Sequence, residues 1–228
     1  MLEKAVKTTV SISNLEVGFN GHPLLSIEDF HVNEGEVLAI TGPSGIGKTS
    51  LLRTIAGILK PISGTVQVCG ATIPNRPERG SIGYIPQKLG LVRHSSVWAN
   101  VMLGSRAGNP RATSRENAMN AIEDLGLKEK KNEPIKRLSG GQQRRVATAR
   151  TLAQRPELIL ADEFLSELDE DTSVRVVNSV LDYVRSSNAA MILVEHDISR
   201  AREISDRLLV IDDGRLNPFI TDTSIMEV

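Results

Sequence analysis

Apolar residues along this chain recur at two spacings. Val10, Ile12, Leu15 and Val17 stand at near-period-two intervals and predict the first strand or two. Residues 37–40 form an unbroken apolar run, the pattern of a strand covered on both faces; a glycine-rich segment and an apolar helix starting near Lys48 follow. Residues 65–68 and 82–85 predict further strands, each bounded by Gly or Pro. From about Ser95 to Lys131 strand signals stop. Within that stretch Thr113-Ser-Arg-Glu116 has the capping-box pattern and predicts the start of a helix running towards Leu125. Alternation then resumes: a helix after Gly141, a strand at 158–161, and a helix placing Val174, Val177, Leu181 and Val184 on one face. A strand at 190–194, a helix near Ser199 and a strand at 208–211 meeting an Asp213-Gly214 turn complete the pattern. Strands alternating with helices predict an α/β fold with an interior parallel sheet.

Composition narrows the function. The 228 residues carry 27 basic and 28 acidic side chains, a net charge of -1, which supplies no basic field for nucleic acid. Four Phe, two Tyr and one Trp leave little material for base stacking. The N-terminus lacks the apolar core of a secretory signal, and no apolar run approaches the roughly 20 residues of a spanning helix. The lone Cys69 can form neither an intrachain disulfide nor a cysteine-rich zinc site and reads as a small buried hydrophobe.

Three segments carry chemistry. Gly42-Pro43-Ser44-Gly45-Ile46-Gly47-Lys48-Thr49, followed by Ser50, fits G-x-x-x-x-G-K-[ST] between a predicted strand and helix. Glycines let the backbone wrap a phosphate chain and aim N–H groups at it, while the helix adds its positive end. Lys48 suits the β- and γ-phosphates and the Thr49 hydroxyl a magnesium ion. A second apolar strand ends in Asp162-Glu163: Asp162 suits the magnesium ion, and Glu163 suits a general base that activates water. Finally Ser139-Gly140-Gly141-Gln142, after Leu138, opens a helix and makes a second anion-binding terminus. Two phosphate-gripping termini with one acidic pair imply that the two do not serve one monomer's nucleotide together.

Leu138-Ser-Gly-Gly-Gln142 resembles the signature of ATP-binding cassette (ABC) ATPases, and the similarity runs from about Ser11 to Leu216 with the motifs in order. That resemblance implies an α/β P-loop NTPase core with a mixed, largely parallel sheet, an N-terminal antiparallel β subdomain and an inserted helical subdomain at about 89–136, all in one domain spanning 1–228. It further implies that Phe19 stacks on adenine, that Gln87 senses the metal and γ-phosphate, that Asp169 belongs to a loop crossing the dimer, and that His196 contacts the γ-phosphate. ATP and Mg2+ are the implied ligands. The implied partners are a second copy of the chain or a homologous cassette, transmembrane permease subunits and, for an importer, an extracytoplasmic binding protein; the implied place is the cytoplasmic face of the membrane. Leu89, Leu91, Val97 and Trp98 are expected to line the groove for the permease. The alternative is a soluble ATPase of an assembly system such as iron–sulfur cluster assembly. Phe164 and Glu167 depart from the family's usual Pro and Ala and put the contacts of the Asp169 loop in question.

Overall fold

The computed structural model describes residues 7–166 and 168–219; the Glu167 departure therefore lies outside the described residues. Its ten strands form one sheet: β1 (Thr8–Phe19), β2 (His22–Asn33), β3 (Val37–Thr41), β4 (Ser63–Val68), β5 (Ala71–Thr72), β6 (Ile82–Ile85), β7 (Leu158–Asp162), β8 (Ala190–Val194), β9 (Arg207–Asp212) and β10 (Arg215–Pro218). They lie in the order β5-β4-β1-β2-β10-β9-β3-β8-β7-β6. The run from β9 to β6 is parallel, whereas β1, β2, β4 and β5 pair antiparallel. The mixed sheet expected from sequence is therefore present.

Why the parallel strands read as unbroken apolar runs is clear from their two faces. Val37 and Ala39, Ile159 and Ala161, Met191 and Leu193 enter one core; Leu38 and Ile40, Leu158 and Leu160, Ile192 and Val194 enter the other. Helices α2 (Val97–Gly108), α3 (Arg111–Asp124), α4 (Gly140–Leu152) and α5 (Glu170–Ser187) contribute to the first core, as does Ala201 of the short α6 (Ile198–Ile204). Helix α1 (Lys48–Ile55) and the antiparallel strands build the second.

Several elements differ from expectation. The N-terminal signal resolves into two long strands joined by Asn20-Gly21, both with positive φ as a tight hairpin turn requires. Each strand changes phase once: Val10 and Ile12 pair with Val32 and Phe30, then Leu15 and Val17 with Ile27 and Leu25. All eight are buried, so the matched shifts keep one face apolar. Helix α3 begins at Arg111 rather than at a Thr113 cap. Pro110, at φ −57, already has the helical φ, and Thr113 Oγ1 donates backwards to Pro110 O (3.3 Å). On α5, Val184 is buried and Val177 and Leu181 pack against the core as expected, but Val176 and Val180 are buried as well and Val174 is 55% exposed. Cys69 is half-buried against the second core, and burial pushes its thiol up to about 11.

Between residues 89 and 136 the chain forms α2, α3 and short 3-10 turns. Helix α2 is capped by Ser96, whose Oγ accepts from Ala99 N at 3.1 Å. It lies so close on α4 that a Cβ at Gly104 would sit 2.0 Å from Arg150 O. Gly104→Ala is therefore expected to destabilise the fold by about 1–3 kcal/mol through overpacking. Urea unfolding, read as a lower midpoint at unchanged slope, measures it.

Candidate active site

The chain from β3 to α1 reverses tightly, and its backbone shows how. Gly42 has φ 149 and no room for a side chain, since a Cβ would lie 2.6 Å from Ile211 O. Gly47 caps α1 at φ 112, beside Leu25 and Leu24 of the β1–β2 hairpin. Pro43, Ser44 and Gly45 are exposed; Ile46 anchors the loop against the second core and Ser50 is buried in α1. The Lys48 ammonium folds across the loop and donates to Gly42 O (2.7 Å) and Pro43 O (2.8 Å). Burial lowers its pKa, while Glu163 and Asp162 nearby act the other way.

The ends of β7 and β8 supply the acids. Thr49 Oγ1 donates to Asp162 Oδ1 at 3.1 Å, and the Tyr84 hydroxyl to Oδ2 at 3.4 Å. Asp162 is 2% exposed, and that burial raises its pKa against the Thr49 hydrogen bond. Tyr84, half-buried beside it, is pushed up to about 12 mainly by burial. Glu163 has a left-handed backbone, φ 50. Its Oε2 accepts from Gln87 Nε2 at 2.7 Å, and its Oε1 makes a short hydrogen bond with His196 Nε2. Lys48, Thr49, Gln87, Asp162, Glu163 and His196 thus converge, as their motif order predicts.

The remaining motif residues stand apart from that cluster. Ser139 caps α4 in a full capping box: Gln142 N donates to Ser139 Oγ (3.2 Å), and Ser139 N donates to Gln142 Oε1 (3.1 Å). Gly140 and Gly141 form its first turn. Among the described residues, no hydrogen bond or ion pair joins Ser139–Gln142 to the Glu163 cluster. Asp169 caps α5 by accepting from Thr172 N (2.9 Å), which lowers its pKa. Phe19, at the hairpin tip, is 49% exposed. A cavity of about 710 Å3, lined among others by Glu28, Asp29, Arg207 and Arg215, contains none of these residues. Within the Glu163 cluster, Gln87 and His196 are exposed, whereas Lys48 and Asp162 are buried.

Of the expected groove residues, Val97 is fully buried and lines nothing; as the first residue of α2 it packs into the core. Trp98 is half-buried against the same core, with the Lys131 ammonium 5.6 Å from its ring centre. Leu89 and Leu91 are also half-buried.

Sequence reasoning passed over three residues that shape the site. Arg150 donates to Leu89 O (2.8 Å) and Gly90 O (2.9 Å), fixing the chain just after Gln87 to α4. Arg144, 3% exposed, donates to Glu163 O at 3.3 Å. Glu195, 6% exposed, accepts from His196 N with Oε1 (3.3 Å), while its buried Oε2 has no partner. Only Glu195 had a signal, its place directly before His196 at the end of an apolar strand.

Three comparisons with known proteins agree. The family described as ABC transporter matches residues 25–166. The L-cystine transport system ATP-binding protein of Escherichia coli (strain K12) is 36% identical over 222 residues, covering 92% of this chain and 88% of that protein. The Fe(3+) ions import ATP-binding protein of Pectobacterium atrosepticum is 36% identical over 215 residues; the chain spans 61% of its length. A solved dimeric ATP-binding cassette in a post-hydrolysis state with ADP and Pi superposes at TM-score 0.81, with 28% identity, over 91% of this chain and 96% of that one.

Burial raises the pKa of Glu195 above its ordinary 4.5, so the fold favours the protonated carboxyl. The stability it contributes is complete below 4.5 and is lost as pH rises through the raised folded-state value. Glu195→Gln, which keeps the acceptor for His196 N, is therefore expected to melt a few degrees higher than wild type at pH 7. The difference should vanish near pH 4; thermal melts across that range decide it.

Proposed function

This chain belongs to the ABC transporter family, and on that premise we propose how its residues serve as the ATP-hydrolysing subunit of a transporter. The observation that carries the assignment of roles is the meeting of Gln87 and His196 on the two oxygens of Glu163, beside Lys48 and Asp162. Glu163 takes the proton of the attacking water; the water oxygen bonds to the γ-phosphorus as the bond to the ADP oxygen breaks. Gln87 and His196 orient that carboxylate. Lys48 and the backbone of residues 42–49 hold the β- and γ-phosphates, with Ser50 completing the first turn of α1, and Phe19 stacks on the base.

Thr49 and Asp162 fit a magnesium ion: their oxygens already meet at 3.1 Å, and hard oxygen donors suit that cation. Gln87 supplies a further oxygen. When bound, the ion offsets negative charge on the phosphate oxygens.

The exposure of Gln87 and His196, and the separation of Ser139–Gln142 from their cluster, support a two-surface site. Ser139, Gly140, Gly141 and Gln142 of one copy close over the nucleotide held by another, with Asp169 near the crossing. The second copy is the same chain or a homologous cassette. Binding ATP joins the copies, and hydrolysis removes the phosphate that both surfaces grip. Residues 89–136 form a lobe within one cassette domain, and the lobe receives a permease subunit. That permease supplies the membrane span, and the chain works at the cytoplasmic face; no helix among the described residues is itself long and apolar enough to cross a membrane. The import named for the iron relative supports uptake here, with an extracytoplasmic binding protein as the further partner. Both named relatives are transport proteins, which favours this reading over a soluble assembly ATPase.

Glu163→Gln keeps the side chain's shape and one acceptor oxygen but removes the base. Hydrolysis is expected to fall about 100-fold or more. The variant should elute as an ATP-retaining dimer on size exclusion, whereas turnover at the wild-type rate would remove Glu163 from its role.

A further inference from the structure

The two halves of the proposed composite site are joined inside each copy by a single short segment. Helix α4 starts with the turn assigned to the second copy's nucleotide, and the loop after β7 starts with the base assigned to the copy's own. Contacts between α4 and that loop connect them. A Cβ at Gly141 would lie 3.3 Å from Leu168 Cδ2, so the first turn of α4 touches the loop before Asp169. Three residues further along, the Arg144 guanidinium reaches the main-chain oxygen of Glu163 (3.3 Å).

That oxygen is the point at which Glu163 is held in shape. It also accepts from Ser166 N (3.2 Å) and Ser166 Oγ (2.8 Å), three donors on one carbonyl. Glu163 sits at φ 50, a conformation that costs a non-glycine residue of order 1 kcal/mol or more and persists only where its surroundings impose it. Two of the three donors come from the loop itself and move with it. Arg144 alone comes from α4. The Arg144 guanidinium, 3% exposed, reaches the backbone of the base, where a small displacement re-aims the carboxylate. Displacements near 1 Å at reacting groups cost up to about 100-fold in rate.

We propose that Arg144 is a positioning residue that couples the two nucleotide sites of the dimer: closure of the α4 turn on the second copy's nucleotide is transmitted through Arg144 to Glu163 O, which sets the carboxylate for its own water. The proposal rests on the paired-cassette reading above. Each base is then fully aligned only when the other site is occupied, and hydrolysis is cooperative in ATP.

The test is steady-state hydrolysis by the purified full chain as a function of ATP concentration. Wild type is expected to give a Hill coefficient above unity. Arg144→Met should lower kcat about 10- to 100-fold, bring the Hill coefficient to unity, and leave half-saturation within about 3-fold. In a Glu163→Gln background it should still form the ATP-retaining dimer. Arg144→Gln, too short to reach Glu163 O but polar, should behave as Arg144→Met, and it decides the matter if the methionine variant does not fold. An arginine that merely stabilised the fold would lower melting temperature and kcat with cooperativity intact, and that outcome overturns the proposal. A wild-type coefficient of unity, or a Glu163→Gln chain that stays monomeric with ATP, overturns the paired reading and the proposal together.

Discussion

The shared direction of β3, β7 and β8 is the constraint on which the site depends. Because these strands are parallel and in register, with Ile40 level with Val194 and Val194 level with Asp162, their carboxyl ends finish side by side. Each chain segment then leaves the sheet carrying one functional part: the loop at 42–49, the acids at 162 and 163, and Glu195 with His196. Open α/β sheets gather ligands at the carboxyl ends of their strands for this reason. Slipping any one strand by a residue would send its apolar side chains into the wrong core and its terminal acid to the wrong face. Burial of the two cores therefore fixes the geometry of the candidate site.

Gathering charge at one edge has an electrostatic cost. Lys48 is lowered, and Asp162 and Glu195 are raised, each chiefly by burial. An ammonium and a carboxylate shifted towards their neutral forms are groups poorly solvated where they stand. A polyphosphate suits the ammonium and a cation suits the carboxylate, so binding of both relieves what the fold strains to hold. The same logic explains the hydrogen bonds that Lys48 makes to two loop carbonyls and that Asp162 accepts from Thr49 and Tyr84. They are local partners that a stronger ligand can replace.

Legibility from sequence followed the range of the interactions involved. The strands that build the parallel sheet were readable because two-sided burial writes an unbroken apolar run. The cluster around Glu163 was readable because its members stand in recognisable motifs. Features that depend on distant partners were not. The second strand of the hairpin was hidden by its own phase change, which makes sense only opposite the matching change in β1. Thr113 lost its predicted cap to Pro110, three residues earlier. The stripe on α5 was displaced because Val176 and Val180 join the core beside Val177, Leu181 and Val184, a fact set by packing and not by periodicity alone. Arg144 and Arg150 look like ordinary charges on a helix, and only burial and their backbone partners, 19 and 60 residues away, give them a place in the site.

Those two arginines also show why α4 is the mechanical centre of the chain. Its first turn is the exposed capping box, its second reaches Glu163 O, and its third grips the carbonyls after Gln87. Gly104 lets α2 rest directly on the backbone of Arg150, so motion of the helical lobe reaches α4 without a flexible side chain between them. A rigid helix that touches the nucleotide turn, the base and the lobe cannot move at one place and stay still at the others. On the proposed roles, such a body would convert the presence of a phosphate into displacement of the lobe, and displacement of the lobe into alignment of Glu163. Coupling in both directions through one element is what a reciprocal free-energy linkage between distant sites requires.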